Sequence, residues 1–229
     1  MAVAHVLSRI VFWDSNPMIT AGMSADTVFD CDVRVTRLGP ESAGLYLTRE
    51  EFLAIDDYDE LYRYELIHGV VVVSPYPGPG ERGPNGRLDQ WLWNYHDNHP
   101  QGRSLDDTLQ EQAIDTGACI RRADRVIWAG LGRQPVPMKD VPAIVIELVS
   151  NTRRDRKRDY EEKRAEYAAI GVREYWVIDR FRRTMTVCRG DEVTRVVKES
   201  EAYETPLLPG FQLALGELLK VADRWAAQE

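Results

Sequence analysis

The chain has 229 residues, of which 44% are hydrophobic and 29% are charged, the composition of an ordinary soluble globular protein with one large domain or two small ones. Its formal net charge of -8 argues against a protein that coats nucleic acid through its overall field, although a local basic patch could still contact a phosphate backbone. The three cysteines, Cys31, Cys119 and Cys188, are far apart, which excludes a complete disulfide framework and favours a reducing cytoplasm.

The sequence shows neither a recognisable leader nor an apolar segment long enough to span a membrane. We therefore predict a cytoplasmic protein that is neither exported nor inserted in a membrane. Residues 1–45 are interpreted as an N-terminal extension that is flexible or serves as a dimer arm. Residues 46–229 contain no internal repeat and no linker, which predicts a single mixed α/β domain.

The first predicted element is a helix in the stretch LTREEFLAIDDYDELYRYEL, residues 47–66. Thr48 is the expected N-cap, Glu51 has the spacing of a capping box, and apolar residues recur at helical intervals. Glu65 would then lie near the end of this helix. A short valine strand follows, and the proline- and glycine-rich stretch from Pro75 to Pro84 predicts a loop.

The middle of the chain predicts a core-facing helix, whose apolar stripe includes Leu88 and Tyr95. The segments TLQEQAID and ACIRRADRVIWAG have the period of strands, and the turn residues between them predict an antiparallel pair. An apolar strand, a charged helix from about Asp155 to Ile170 and the strand REYWVID then form a strand, helix, strand unit. A hairpin in TMTVCRGDEVTRVV and an amphipathic helix in LPGFQLALGELLKVADRW complete the chain.

The apolar strand PAIVIELV contains one carboxylate, Glu147. A continuous run of this kind is typical of a strand covered on both faces, where an unpaired charge costs several kcal/mol. Glu147 therefore needs a proton, a salt bridge or a metal ion, and only the metal ion would give it a chemical role. A purely structural ion pair with Arg121, Arg122 or Lys163 is the alternative.

Three carboxylates in apolar contexts, Glu65, Asp124 and Glu147, are candidates for metal-assisted phosphodiester hydrolysis. Asp124 and Glu147 would hold the metal, whereas Glu65 could equally be solvated or paired with Arg63. A catalytic cation on the same strand as Glu147 would be expected two residues later, where the chain has Val149.

Lys163 is the nearest replacement, because Asp159, Lys163 and Tyr167 recur every four residues and form one stripe on the following helix. A lysine that points inward there could orient an attacking water or offset charge in the transition state. The same stripe could equally be an exposed intrahelical ion pair with an aromatic cap.

Four segments carry a family resemblance: YELIHG, IRRADRVIW, PAIVIELVSNTRRDRKRDYEEKRAEYAAIGVREYWVID and LLPGFQLALGELL. Together they resemble the Uma family of restriction-endonuclease-like proteins, a branch of the PD-(D/E)XK nuclease superfamily, over about Tyr46 to Leu219. The long third segment is the specific part. The resemblance implies a restriction-endonuclease-like core with a central mixed sheet flanked by helices, a divalent-metal site at Asp124 and Glu147, and a helix-borne accessory acid at Glu65.

The sequence departs from the family pattern at several positions. Ala123 replaces the usual proline before the metal-binding aspartate, His68 stands where an acid is common, and Arg82 stands where relatives often have histidine. None of these changes deletes one of the three carboxylates. Lys163 is the expected substitute for the lysine missing at Val149.

The resemblance implies a Mg²⁺-dependent DNA endonuclease, with Mn²⁺ as a possible substitute and Lys163 as the cationic helper. Homodimerisation is expected because many such nucleases must address two strands. A basic run after the apolar strand predicts phosphate contacts by Arg153, Arg154, Arg156 and Lys157. The alternatives are a catalytically inactive binding or assembly module with the same fold, and a phosphodiesterase that acts on another nucleic acid or on nucleotides.

Overall fold

The computed structural model describes residues 35–150 and 158–226. Residues 1–34, most of the predicted N-terminal extension, lie outside this part of the chain. The end of the predicted extension belongs to the folded domain, because Leu38 is only 3% exposed and packs in an apolar cluster with Tyr64 and Leu66. Among the described residues, no helix has both the length and the apolar character needed to cross a membrane.

The domain contains twelve strands and four α-helices within the described residues. The strands are β1 (Arg37–Leu38), β2 (Asp57–Tyr58), β3 (Tyr62–Ile67), β4 (Val70–Pro75), β5 (Leu105–Asp115), β6 (Cys119–Ala129), β7 (Ile144–Leu148), β8 (Glu174–Asp179), β9 (Thr184–Arg189), β10 (Glu192–Lys198), β11 (Ala202–Glu204) and β12 (Gln212–Ala214). The helices are α1 (Arg49–Leu53), α2 (Pro79–Asn98), α3 (Lys163–Ala169) and α4 (Leu215–Ala226). A π-helical turn, Arg158–Glu162, leads into α3.

The centre of the fold is an eight-stranded sheet with the strand order β10-β9-β8-β7-β6-β3-β4, in which β5 also pairs with β6. Strands β7 and β8 are parallel, and the other pairs in this sheet are antiparallel. The helical connection through α3 fits the parallel pair, since parallel neighbours require a crossover. The predicted mixed sheet flanked by helices is confirmed.

The two faces of the sheet are covered by different helices. Apolar residues of α2 and α4 pack with Ile144 and Ile146 of β7 on one face, whereas Tyr167 of α3 packs with Val145 on the other. Because side chains alternate along a strand, Glu147 shares the face of Val145 and therefore points towards α3. The alternation thus directs the single carboxylate of β7 towards the helix that carries Lys163.

The predicted helix over residues 47–66 is wrong beyond its first turns. Its capping box is confirmed, because Thr48 and Glu51 exchange both expected hydrogen bonds, but α1 ends at Leu53. Glu65 lies in β3 and is borne by a strand, not by a helix. The turn at His68 and Gly69, whose φ angles are +49° and +82°, joins β3 to β4 as a tight hairpin, and this pairing overrides the helical spacing.

The predicted loop from Pro75 to Pro84 is also wrong in its second half, because α2 begins at Pro79. Proline is tolerated in the first turn of a helix, where its missing N–H would have no intrahelical partner. A Cβ atom on Gly83 would lie 2.9 Å from the Trp225 indole nitrogen. Close packing against α4 therefore uses the small residues that made this stretch resemble a loop.

The remaining predicted elements are confirmed within the described residues. The segments of β5 and β6 form the expected antiparallel pair, β9 and β10 form the hairpin, and α4 ends the described part of the chain. The helix after β7 was predicted to begin near Asp155, which lies outside the described residues, and it ends at Ala169 as α3. Gly171 follows with φ +91°, in agreement with the predicted C-terminal stop.

Candidate active site

Three acidic side chains lie on neighbouring strands of the central sheet. Glu65 is in β3, Asp124 in β6 and Glu147 in β7, and the three line one cavity. The β6–β7 ladder ends at the pair Arg125 and Ile146, so Asp124 and Glu147 are the next residues along the two strands. Each of the three acids is at most 5% exposed. The structure therefore brings together the carboxylates that the sequence singled out.

Lys163 joins this group from α3. Its Nζ atom donates a hydrogen bond to Glu147 Oε1 at 2.8 Å and lies 3.8 Å from Glu65 Oε1 and 3.6 Å from Asp159 Oδ1. We call Glu65, Asp124, Glu147 and Asp159 the acidic cluster. Lys163 is only 2% exposed, so the alternative of an exposed ion pair on a solvated helix face is wrong.

Asp124 is held by two donors. Arg63 donates to Asp124 Oδ1 at 2.9 Å, and the backbone N–H of Leu148 donates to Oδ2 at 2.7 Å. Arg63 also lies 3.4 Å from Glu111 Oε2. Burial acts to lower the pKa of Arg63, but the neighbouring Asp124 and Glu111 carboxylates outweigh it and raise that pKa. Arg63 therefore stays charged beside Asp124.

The sequence indicated Arg63 only as a possible partner of Glu65. Its position next to Asp124 was not predicted. The signal was present, because residues two apart on a strand point to the same side. Had residues 62–67 been assigned to a strand, Arg63 and Glu65 would have been expected on one face. Glu65 Oε1 accepts a hydrogen bond from the Arg122 backbone N–H at 3.0 Å.

Burial perturbs the pKa of Glu147. Burial raises its pKa well above the usual 4.5, the Asp124 and Asp159 carboxylates raise it further, and Lys163 opposes the shift. The Tyr167 hydroxyl donates a second hydrogen bond to Glu147 Oε1 at 3.3 Å. The local field around Glu147 therefore favours an added positive charge, either a proton or a cation.

The cavity fits a divalent cation in charge and in size. Its charged lining consists of five acids and three bases, which leaves two negative charges in excess: Glu65, Glu81, Asp124, Glu147 and Asp159 against Arg63, Arg122 and Lys163. The cavity volume is about 20 Å³, enough for one water molecule or a metal ion. Carboxylate oxygens are the donors that Mg²⁺ prefers, and each has two lone pairs, so existing hydrogen bonds leave capacity for a metal.

Val149 occupies the position at which a catalytic lysine was expected, two residues after Glu147. Val149 is 1% exposed and packs in the apolar cluster that includes Tyr167. Val149 therefore contributes to core packing, and the ammonium group that lines the cavity is that of Lys163 in α3. The predicted phosphate contacts Arg153, Arg154, Arg156 and Lys157 lie outside the described residues.

The chain is similar to known proteins in fold and in sequence. A crystal structure described as "a putative nuclease belonging to DUF820", from Anabaena variabilis ATCC 29413, superposes with a TM-score of 0.61 at 17% sequence identity. The match covers 77% of this chain and 99% of that chain, so the two proteins share a fold. No curated protein matches the sequence. Residues 49–216 match the family Uma2, described as "Putative restriction endonuclease", and the chain belongs to this family.

Proposed function

We propose that the protein is a Mg²⁺-dependent endonuclease that hydrolyses phosphodiester bonds in DNA, with Mn²⁺ as a substitute metal. Asp124 and Glu147 hold the ion, and Lys163 is the cationic helper. The observation that carries the proposal is the position of Lys163, whose Nζ lies 2.8 Å from Glu147 Oε1 in the cavity shared with Asp124. The family description supports a nuclease, and the substrate DNA is part of the proposal.

The residues of the cavity have distinct roles in this proposal. When bound, the divalent ion supplies Lewis-acid polarisation of the phosphodiester. Lys163 stabilises the negative charge that develops on the phosphoryl oxygens, because its ammonium group is fixed among carboxylates before substrate arrives. Glu65 is the accessory acid, and its bond to the Arg122 backbone fixes its carboxylate at the cavity.

Arg63 is assigned a positioning role. It binds Asp124 and Glu111 from within β3, so it holds the Asp124 carboxylate in one orientation.

The contact between Arg63 and Asp124 is also the specific observation that favours the second candidate function, a nuclease-derived binding module without catalysis. A guanidinium already supplies positive charge to Asp124, and a module of this kind would need no metal.

The test is a cleavage assay with purified full-length protein. Supercoiled and linear duplex DNA, single strands, RNA and a small phosphodiester are incubated with Mg²⁺, with Mn²⁺ and with chelator. We expect metal-dependent cleavage of DNA that is abolished in Asp124→Asn and Glu147→Gln, with both variants still folded. A preference for RNA or for the small phosphodiester would instead identify another phosphodiesterase.

Glu174→Gln is the matched control for Glu147→Gln. Glu174 is also a buried glutamate on a central strand, at 1% exposure, but its partners are Arg189, Trp176 and Tyr203. It does not line the cavity, so this variant should retain cleavage. Equal loss in both variants would indicate general destabilisation, and wild-type protein that binds DNA without cleaving it would establish the binding module.

A further inference from the structure

A second group of metal-ligating side chains lies outside the acidic cluster. His68 is in the turn between β3 and β4, Cys119 begins β6, and Glu166 is in α3. Cys119 Sγ lies 3.9 Å from His68 Nδ1 and 3.7 Å from Glu166 Oε1. One nitrogen, one sulfur and one carboxylate oxygen from three separate elements thus converge at one point, and we call these residues the thiol cluster.

These separations match those of ligands around one small metal ion. With a zinc–sulfur distance of about 2.3 Å and a zinc–nitrogen distance of about 2.0 Å, tetrahedral coordination places sulfur and nitrogen about 3.5 Å apart. The three ligand atoms all lie within 4.8 Å of one another. All three atoms are therefore close enough to one another to bind the same ion.

The surrounding residues hold two of the three ligands in place. Arg121, which is 1% exposed, donates to Glu166 Oε1 at 2.6 Å and to Oε2 at 2.7 Å. Thr116 Oγ1 accepts from the Cys119 backbone N–H at 3.2 Å. Metal-binding carboxylates are commonly fixed by outer hydrogen bonds of this kind, and those bonds leave lone pairs for the metal.

We propose that His68, Cys119 and Glu166 form a binding site for Zn²⁺ or a similar transition-metal ion, separate from the acidic cluster. The thiolate and imidazole donors select borderline-soft metals, whereas Mg²⁺ requires oxygen donors. On binding, the Cys119 thiol transfers its proton to solvent and its sulfur bonds to the metal. His68 is exposed, so a metal ion can reach the site from solvent.

The proposed zinc site would connect two elements whose side chains line the cavity of the acidic cluster. Glu166 lies three residues after Lys163 on α3, and the hairpin that contains His68 carries Glu65 and Arg63. A metal held between them would fasten α3 to the β3–β4 hairpin. Zinc binding should therefore raise the thermal stability of the protein as well as occupy the thiol cluster.

The test is titration of the metal-free, fully reduced full-length protein with Co²⁺, followed by displacement with Zn²⁺ in a calorimeter. Cobalt bound to a thiolate gives a sulfur-to-metal absorption band, which reports Cys119 and not the carboxylates. We expect this band in the wild type, its absence in Cys119→Ser, and a loss of affinity of at least about 10-fold in His68→Asn. Excess Mg²⁺ should leave the band unchanged.

The control variants distinguish metal binding at the thiol cluster from binding at other thiols and from binding at the proposed nuclease site. Cys31→Ser and Cys188→Ser should retain the band, as should Glu147→Gln, whose effect is confined to the acidic cluster. His68→Asn keeps a residue that tolerates the φ of +49°, so it carries the test if Cys119→Ser fails to fold. An unchanged band and affinity in the variants of His68 and Cys119, or no thiolate band in the wild type, would overturn the proposal.

Discussion

Replacing Lys163 with methionine removes the ammonium group from the acidic cluster but keeps most of the aliphatic side chain. Lys163 is 2% exposed and Glu147 is 3% exposed, and their charged atoms are 2.8 Å apart. Removing one partner of a buried ion pair leaves the other charge without compensation. We therefore expect Lys163→Met to lower the free energy of unfolding by about 3–5 kcal/mol at neutral pH.

The double variant Lys163→Met with Glu147→Gln tests the cause of that loss. If the uncompensated charge of Glu147 is responsible, the double variant should recover most of the stability, because it contains no buried charge at either position. Urea unfolding monitored by tryptophan fluorescence gives the free energies. Lys220→Met is the control, since Lys220 pairs with Glu217 on an exposed face and its unfolding midpoint should barely change.

Two results would refute this reasoning. A loss below about 1 kcal/mol in Lys163→Met would show that the pair has the small energy of a surface salt bridge. An equal loss in the single and double variants would show that the charge of Glu147 does not determine the stability, and that the lysine stem or its ion pairs with Glu65 and Asp159 do.

The raised pKa of Glu147 predicts that protonation of this residue stabilises the fold. Its contribution to the free energy of unfolding is complete when the pH is below 4.5, the usual pKa, and is lost as pH rises towards the pKa in the folded state. The free energy of unfolding of the wild type, measured by urea unfolding relative to that of Glu147→Gln, should therefore fall as pH rises across this range, and a difference that stays constant with pH would contradict the shift. Arg63→Gln should bind Mn²⁺ more weakly in a calorimetric titration, because Arg63 donates to Asp124 Oδ1 at 2.9 Å and holds that carboxylate in one orientation; tighter binding would show that Arg63 competes with the cation for Asp124. Light scattering should give the mass of a homodimer for the full-length chain, and a monomer at all concentrations would reject the predicted dimer.

The strands that hold Asp124 and Glu147 could be predicted from sequence because the first has the period of a strand and the second is a continuous apolar run with one carboxylate. The apolar run of β7 is too short for a typical helix, and it ends at polar residues. The stripe of Asp159, Lys163 and Tyr167 could be predicted equally well, since residues four apart share one helix face. Its inward orientation could not be derived from that spacing, because the same stripe would suit an exposed face.

The position of Glu65 could not be predicted because two periods compete in the same stretch. Tyr62, Tyr64 and Leu66 alternate as in a strand, yet the preceding acidic and apolar residues have helical spacing. The hairpin with β4 decides between them through long-range hydrogen bonds. Arg63 was missed for the same reason, and the start of α2 was missed because its packing against α4 overrides the local preference of proline and glycine.

The most direct test of the proposed metal site is a crystal structure of the protein soaked with Mn²⁺, with data collected to locate the anomalous signal of the metal. Our account predicts a manganese peak bonded to carboxylate oxygens of both Asp124 and Glu147, with the Lys163 ammonium group beside it. A cavity without such a peak, in which Arg63 still holds Asp124 at a saturating concentration of Mn²⁺, would contradict it.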